Sequence, residues 1–349
     1  MNTTAEQQRQ KATVPRVGPA QLRVRVRSVT RYSEHIRAFE VVDPAGNALP
    51  SFEPGSHIDV HVPADGLGVR QYSLCGDPQN RYRYVFAVLR ETAGRGGSKA
   101  MFEHVDVETD LVISKPRNNF PLRFARRHLL LAGGIGITPM MSMLCHLRRT
   151  GADFMLHYCT RSPARTAFLN QLLPLIEEGC VAVHWDGGDP GSGLNIATTL
   201  QPYQEGTHLY YCGPPGFMAA VATASSHWPA ETTHREFFTP PENDPVVAAA
   251  SASEPAAMNG GLGTPFQVKI ASTGQIFDVP SDQTILQVLG SHGIVVETAC
   301  GLGVCGTCRT HYLEGEPDHR DFVLEAQEQQ TEMTVCCSRS KSPLLVLDL

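Results

Sequence analysis

The stretch CGLGVCGTC, residues 300–308, decides the fold of the C-terminal part of this chain. Its cysteines stand in the order C-x4-C-x2-C, and two adjacent cysteines, Cys336 and Cys337, follow nearer the end. This is the ligand spacing of plant-type 2Fe-2S clusters, in which each iron takes two thiolates. The intervening glycines let the backbone wrap closely and aim amides at the cluster sulfurs. A zinc site or scattered core cysteines are the alternatives to such a cluster, which moves single electrons.

Composition limits the class of protein. The chain has 349 residues and a net charge of -6, with a pI near 6.2, which predicts two or three domains and argues against nucleic acid as a partner. No signal peptide is recognisable, and the longest apolar stretch, residues 129–145, is too short and glycine-rich for a membrane span. We expect a soluble, cytoplasmic monomer that binds no membrane. The remaining cysteines are dispersed, as expected in a reduced cell interior: Cys75, Cys145, Cys159, Cys180 and Cys212.

Changes of pattern divide the chain into five parts. Residues 1–19 are polar and are predicted to be a disordered leader, and residues 20–122 carry short alternating strands that predict an antiparallel β-barrel. Residues 123–239 alternate strands with helices, which predicts an α/β domain with a parallel sheet. Residues 240–264 are rich in Pro, Ala, Ser and Gly and are predicted to be a linker. Residues 265–349 combine a hairpin, a helix, the cluster loop and a last strand, which predicts a β-grasp ferredoxin domain.

Two motifs stand in the barrel. RQYSLCGDP begins at Arg70 and places a cation, a flat phenol (Tyr72) and a hydroxyl (Ser73) on a strand whose residues face its two sides alternately. GRGGSKAMF, residues 94–102, is a glycine-rich turn that enters a helix, where free amides and the helix dipole favour a phosphate. An isolated R-x-Y-S is an ordinary strand pattern. Together with the glycine turn and a downstream cluster, it becomes specific.

Two further motifs stand at strand ends in the α/β part. AGGIG, residues 132–136, lies where a buried strand turns into a helix, which would let the pyrophosphate of a dinucleotide approach the backbone. It departs from G-x-G-x-x-G because Pro139 replaces the last glycine, so a tight structural turn is an equal alternative. YYCGPPGFM places Cys212 and Pro214 at the edge where α/β sheets bind ligands. Its alternative is a helix started by proline.

The order of RQYSLCGDP, GRGGS, AGGIGITPM, YYCGPPGFM, HREFF and CGLGVCGTC resembles the phthalate dioxygenase reductase family, over about residues 20–349. Members of this family are reductase components of bacterial Rieske-type oxygenases. The resemblance implies a multidomain protein with a flavin-binding antiparallel β-barrel, an α/β nicotinamide-binding domain and a β-grasp 2Fe-2S ferredoxin domain. It also implies FMN, NADH and a 2Fe-2S cluster as cofactors, and a Rieske-type terminal oxygenase as partner.

The resemblance implies roles for individual residues. Arg70 and Ser98 meet the FMN phosphate, while Tyr72 and Ser73 contact the isoalloxazine, the serine near its reactive N5; Cys212 lies close to the hydride path. Catalytic roles are implied for Ser73, Thr138 and Cys212. The residues implied to bind the flavin are Arg70, Gln71, Tyr72, Ser73, Val88, Leu89, Gly96, Gly97 and Ser98. Those implied to shape the nicotinamide site are Gly134, Gly136, Thr138, Cys212, Gly213 and Pro214, and Glu236 and Phe238 of HREFF match the place where an aromatic ring covers the flavin.

The cluster ligands expected are Cys300, Cys305, Cys308 and Cys336. The family pattern V-C-V-S-R has an apolar residue after the last ligand, whereas this chain reads VCCSRS. Alignment on Ser338 and Arg339 makes Cys336 the ligand and Cys337 its apolar neighbour. Successive residues of an extended segment face opposite ways, so only one of the two thiols can point at the iron.

Together, these motifs predict an oxidoreductase that takes two electrons from NADH as a hydride and releases them one at a time through the cluster to an oxygenase. The chain has no Rieske pair of C-x-H and C-x-x-H, so oxygen activation is expected in a separate protein. One alternative is an iron-sulfur carrier or redox sensor without its own turnover. The other is the reductase of a diiron monooxygenase, although those relatives usually place the ferredoxin first.

Overall fold

The structure is a computed structural model, and it describes residues 21–64, 68–92, 94, 96–240 and 262–349. The predicted leader and residues 241–261 of the predicted linker lie outside the described residues. Three regions of secondary structure follow one another along the chain, in the predicted order. Within the described ranges, no helix combines the length and the apolar character that crossing a membrane requires.

The first region is a six-stranded antiparallel sheet in the order β4-β3-β6-β1-β2-β5. An isolated bridge between Leu74 and Phe86 connects the ends of its outer strands, so the sheet closes into a barrel. Side chains that alternate along the first strand fill the barrel interior, since Val24 and Val26 are fully buried while Arg23 and Arg27 are exposed and Arg25 is half-buried. Its elements are β1 (Gln21–Arg31), β2 (Ile36–Val42), β3 (His57–His61), β4 (Val69–Ser73), β5 (Tyr84–Leu89), α1 (Gly97–His104) and β6 (Asp110–Ser114).

The second region is a five-stranded parallel sheet in the order β11-β10-β7-β8-β9. Successive strands run outward from β7 in one direction as far as β9, and the chain then returns to the other side for β10 and β11. The carboxyl ends of β7 and β10 therefore flank the switch point where such sheets bind ligands. Its elements are β7 (Arg127–Gly133), α2 (Ile137–Thr150), β8 (Asp153–Thr160), α3 (Leu169–Glu177), β9 (Val181–Trp185), α4 (Ile196–Leu200), β10 (Thr207–Cys212), α5 (Pro215–Ala224) and β11 (Thr233–Glu236).

The third region is a five-stranded mixed sheet in the order β13-β12-β18-β14-β16, with a small pair formed by β15 and β17. Its helix α6 begins with a capping box, in which Thr284 and Gln287 each satisfy the other's backbone amide. The elements are β12 (Phe266–Ile270), β13 (Ile276–Val279), α6 (Ile285–Ser291), β14 (Arg309–Glu314), β15 (Pro317–Asp318), β16 (Glu332–Thr334), β17 (Arg339–Ser340) and β18 (Leu344–Leu347). The predicted fold class, a β-barrel followed by an α/β domain and a ferredoxin domain, is confirmed.

Candidate functional site

The phosphate end of the predicted flavin site lies between β4 and α1. A Cβ added to Gly97 would lie 2.5 Å from Nε of Arg70, so the guanidinium lies directly against the first turn of the helix. Gly96 precedes that turn with φ of 82°, a conformation that favours glycine. A positive side chain beside the amino end of a helix is a suitable seat for a phosphate. The groups present therefore fit a phosphate-bearing flavin.

The other predicted flavin residues lie around this phosphate site and differ in how deeply they are buried. Tyr72 stacks on Phe86, with ring centroids 5.4 Å apart, and burial raises the pKa of its phenol. The Ser98 hydroxyl accepts a hydrogen bond from the Glu91 amide at 3.0 Å, which ties the start of α1 to the end of the β5 loop. Val88 is fully buried in the barrel, and Leu89, next to it, packs against the core of the α/β domain.

The barrel and the α/β domain meet at three predicted residues. Ser73 donates its hydroxyl to Oε2 of Glu236 at 3.3 Å, and Glu236 lies beside Cys212 in the parallel register of β10 and β11. Desolvation of the carboxylate raises the pKa of Glu236 to about 8, although the bond from Ser73 opposes this. Burial, followed by the nearby Glu236, also raises the pKa of the Cys212 thiol. Both groups thus favour their neutral, protonated forms.

The predicted nicotinamide loops pack tightly at the switch point. A Cβ on Gly136 would lie 2.1 Å from the Cys212 carbonyl oxygen, so only glycine lets the turn after β7 approach the end of β10. A Cβ on Gly213 would similarly meet the ring of Phe217. Gly134 has φ of 54° and open space beyond it, which leaves its backbone accessible. This edge fits a dinucleotide lying across the strand ends.

The other predicted residues of these loops have local roles. Thr138 is 2% exposed, and its hydroxyl donates to the Ile135 carbonyl at 2.9 Å, within the first turn of α2. Pro214 precedes α5 with an extended backbone. Of the two aromatic residues in HREFF, Phe238 is 38% exposed, whereas Phe237 packs edge-on against Phe322 of the ferredoxin domain. Phe238 is therefore the more exposed ring of the two, and its place over the flavin stays a prediction.

The four predicted cluster thiols lie together. Cys300 is within hydrogen-bonding range of the thiols of Cys305 and Cys336, and these contacts lower its pKa; Cys336 also contacts Cys308. The amide of Leu302 points at the sulfur of Cys300 at 3.2 Å, and the amide of Cys300 points at the sulfur of Cys305 at 3.4 Å. Thiols that converge with backbone amides aimed at them fit a 2Fe-2S cluster.

Cys336 and Cys337 lie in a turn rather than in the expected extended segment. Cys336 reaches the thiols of Cys300 and Cys308, whereas the thiol of Cys337 contacts that of Cys336. The Cys337 sulfur lies 3.1 Å from the Thr334 hydroxyl, and a Cβ on Gly303 would meet that sulfur at 2.6 Å. The Phe322 amide donates to the Gly303 carbonyl, so the HRDF segment packs on the same part of the loop. The arrangement supports the assignment of Cys336 as the ligand, which stays a prediction.

The cluster loop also touches the barrel, a contact that the sequence did not predict. The Cys305 carbonyl accepts hydrogen bonds from the side chains of Gln71, at 3.3 Å, and Asn119, at 2.9 Å. Arg117 donates to the Thr307 hydroxyl at 3.1 Å and pairs with Asp59. Gln71 and Thr307 belong to recognised motifs. Asp59, Arg117 and Asn119 lie in a strand or a connecting segment without a compositional signal.

Comparisons with known proteins agree with this architecture. Residues 268–341 match the 2Fe-2S iron-sulfur cluster binding domain, and residues 130–223 match the oxidoreductase NAD-binding domain. The solved structure of phthalate dioxygenase reductase, which carries electrons from pyridine nucleotides to [2Fe-2S], is 39% identical. It covers 94% of this chain and 98% of its own, with a TM-score of 0.67. This chain belongs to the phthalate dioxygenase reductase family. It is therefore an NAD-binding oxidoreductase with a 2Fe-2S domain, and the predicted family and enzyme class are confirmed.

Two further relatives extend the comparison. The tert-butanol monooxygenase / tert-amyl alcohol desaturase reductase subunit of Aquincola tertiaricarbonis is 48% identical over 331 residues, 94% of this chain and 96% of its own. An intact type IV self-sufficient cytochrome P450 monooxygenase is 34% identical with a TM-score of 0.82, covering 94% of this chain and 41% of that larger protein. Reductases of this family thus occur both as separate subunits and within fused oxygenases.

Proposed function

We propose that this chain is the reductase component of a two-component oxygenase, passing electrons from NADH through FMN and a 2Fe-2S cluster to a separate oxygenase. The observation that carries the proposal is the position of the short strand β4. Ser73 of this strand bonds to Glu236 of the α/β domain, and Gln71, two residues earlier, bonds to the carbonyl of the cluster cysteine Cys305. One strand of the flavin barrel thus contacts both the expected electron donor side and the expected acceptor side.

FMN held here would supply hydride acceptance from NADH and release of single electrons, and a 2Fe-2S cluster held by the four predicted cysteines would supply one-electron transfer. The chain's own residues supply placement and a suitable electrostatic environment. Arg70 and the amino end of α1 would hold the flavin phosphate. Ser73 and the neutral Glu236 line the end of β4. The glycine turns after β7 and β10 would hold the dinucleotide close to that end of β4. Alignment of donor and acceptor in this way shortens the transfer distance.

A steady-state assay tests the proposal. The purified protein should reduce ferricyanide, a one-electron acceptor that can take electrons directly from the flavin, and cytochrome c, an acceptor from the cluster, with NADH as donor. Flavin released by heat should migrate with FMN in chromatography, and dithionite or NADH should produce the EPR signal of a reduced 2Fe-2S centre. NADPH should have a lower kcat/KM than NADH. A protein that holds the cluster but does not oxidise NADH would instead be a carrier or sensor.

The partner is proposed to be a Rieske-type oxygenase, as the resemblance of the whole chain implies. The similarity to a self-sufficient cytochrome P450 supports a haem oxygenase as the second candidate. Both need single electrons from a 2Fe-2S centre, so the reductase geometry suits either. Copurification from the native host distinguishes them, because a Rieske oxygenase contributes iron and acid-labile sulfide, whereas a haem protein contributes a Soret absorption band. A diiron partner would contribute iron without acid-labile sulfide and without a Soret band.

A further inference from the structure

The cluster loop is held against the barrel by polar side chains. The Cys305 carbonyl accepts from Asn119 at 2.9 Å and from Gln71 at 3.3 Å, and Cys305 itself is 1% exposed. A Cβ on the next residue, Gly306, would lie 3.0 Å from Nδ2 of Asn119. The loop therefore approaches Asn119 as closely as a glycine permits, and the carbonyl that it offers has no access to bulk water.

A second contact lies beside the first. Thr307 accepts a hydrogen bond from Arg117 at 3.1 Å and donates to Oδ2 of Asp59 at 3.4 Å, and Arg117 pairs with that same carboxylate oxygen. The side chain of Asp59 is only 7% exposed. Among the described residues, its Oδ1 has no hydrogen-bond partner, and neither has Nε of Arg117. This contact is thus built from a buried, directional set of charges rather than from apolar packing.

Polar contacts of this kind fix orientation more than they add affinity. A loop held by two separate hydrogen-bonded groups has one favoured position relative to β4, because displacement leaves the buried Cys305 carbonyl without its donors and breaks the bonds of Thr307 to Arg117 and Asp59. The strand that it faces is the one that carries Tyr72 and Ser73. The position of the loop therefore sets the separation between the flavin strand and a cluster ligand.

We propose that Asn119 is a positioning residue for electron transfer from the flavin to the cluster, acting by docking the Cys305–Thr307 loop on the barrel together with the Arg117–Asp59 pair. The effect on electron transfer rests on the proposed function, whereas the docking of the loop on the barrel does not. Asn119 lies in the segment that connects the barrel to the α/β domain, so one connection joins all three domains.

The test is Asn119→Asp, which keeps size and shape while replacing the amide donor with a group that repels the carbonyl. The matched control is Asn118→Asp. Asn118 is also half-buried, and its amide also donates to a backbone carbonyl, but that carbonyl belongs to Pro54 inside the barrel. Loss of a hydrogen bond that leaves a buried acceptor under-satisfied shifts an equilibrium by about tenfold. We therefore expect hydrogen exchange of the amides of residues 301–307, measured in the full oxidised protein, to accelerate about tenfold in Asn119→Asp and not in Asn118→Asp.

The same variants are compared by rapid mixing with NADH. The rate of cluster reduction should fall several-fold in Asn119→Asp, while flavin content, iron content and NADH-ferricyanide turnover remain those of the unaltered protein. Unchanged exchange, or an equal effect of Asn118→Asp, would overturn the proposal. If Asn119→Asp loses the cluster, Asn119→Ala serves instead, since it removes the same amide donor without adding a charge; normal exchange of the loop in that variant would also overturn the proposal. A failure of the unaltered protein to oxidise NADH would refute the proposed function, whereas the exchange measurement would still decide the docking.

Discussion

The carboxyl group of Glu236 makes the stability of this protein depend on pH in a direction opposite to that of most carboxylates. Desolvation raises its pKa from 4.5 to about 8 in the folded protein. Below about pH 4.5 both the folded and the unfolded chain hold the proton. As the pH rises from there to about 8, the unfolded chain releases the proton and the folded chain keeps it, so the free energy of unfolding falls; above about pH 8 this loss is complete.

The size of the effect follows from the shift. At about 1.4 kcal/mol per pKa unit, a fully enclosed carboxylate would lose about 5 kcal/mol between these limits. Glu236 is half-buried, so water screens part of this cost, and we expect about 2 kcal/mol. Glu236→Gln cannot ionise, yet its amide oxygen can still accept from Ser73. The variant should equal the unaltered protein near pH 4.5 and exceed it in stability by about 2 kcal/mol near pH 9.

The assay is urea unfolding followed by flavin release, at a series of pH values. Glu205→Gln, at an exposed position of the same domain, is the matched control for removal of one negative charge. The kcat/KM for NADH with ferricyanide should also show an inflection near pH 8 that Glu236→Gln lacks, because the carboxylate contacts the serine at the flavin strand. Parallel stability curves for Glu236→Gln and the unaltered protein would refute the reasoning, since they would mean that the folded carboxyl titrates as the unfolded one does.

Three further predictions concern the separate parts. Cys336→Ser should lose iron and acid-labile sulfide, because a hydroxyl is a harder ligand than a thiol and suits an iron-sulfur cluster poorly. Cys337→Ala should keep the cluster and its EPR signal, and removal of the buried sulfur should lower the free energy of unfolding by about 1 kcal/mol. The reverse pattern would make Cys337 the ligand. Arg70→Gln should weaken FMN binding to the flavin-free protein by about 10- to 100-fold in a fluorescence titration, and an unchanged Kd would place the phosphate elsewhere. A chain ending at Pro240 should retain flavin and ferricyanide reduction but reduce cytochrome c poorly, because the contacts of the cluster loop with the barrel are mainly polar; an insoluble fragment without flavin would contradict this.

The sequence was sufficient for the fold because its signals were local. Alternation in Gln21–Arg31, the apolar strand followed by a glycine turn at 133–136, and the cysteine spacing each depend on neighbouring residues. The same holds for the thiols, since three of the four predicted ligands lie within nine residues of one loop. The bond between Ser73 and Glu236 joins residues from separate domains, and the sequence did not predict it, since the resemblance implied only that each residue lies at the flavin site.

The docking of the ferredoxin domain could not be predicted, and the reason is physical. Asp59, Arg117 and Asn119 are ordinary polar residues at ordinary positions of a strand or connecting segment, and nothing in their immediate neighbours marks them. These residues acquire a role only when a loop far along the chain packs against them, and that packing depends on how the domains are oriented. Conversely, Cys337 shows how the sequence can narrow a choice without deciding it, since two adjacent thiols are chemically equal until their directions are known.

The motif R-Q-Y-S shows why the contacts between the domains depend on a strand, β4, rather than on a loop. Successive side chains of a strand face opposite sides. Tyr72 therefore points into the barrel to stack on Phe86, while Gln71 and Ser73 share the other face and reach Cys305 and Glu236. A shift of the register between β3 and β4 by one residue would exchange these faces and break both domain contacts at once. The residue between arginine and tyrosine is consequently not a spacer: its side chain is the part of the flavin strand that contacts a cluster cysteine.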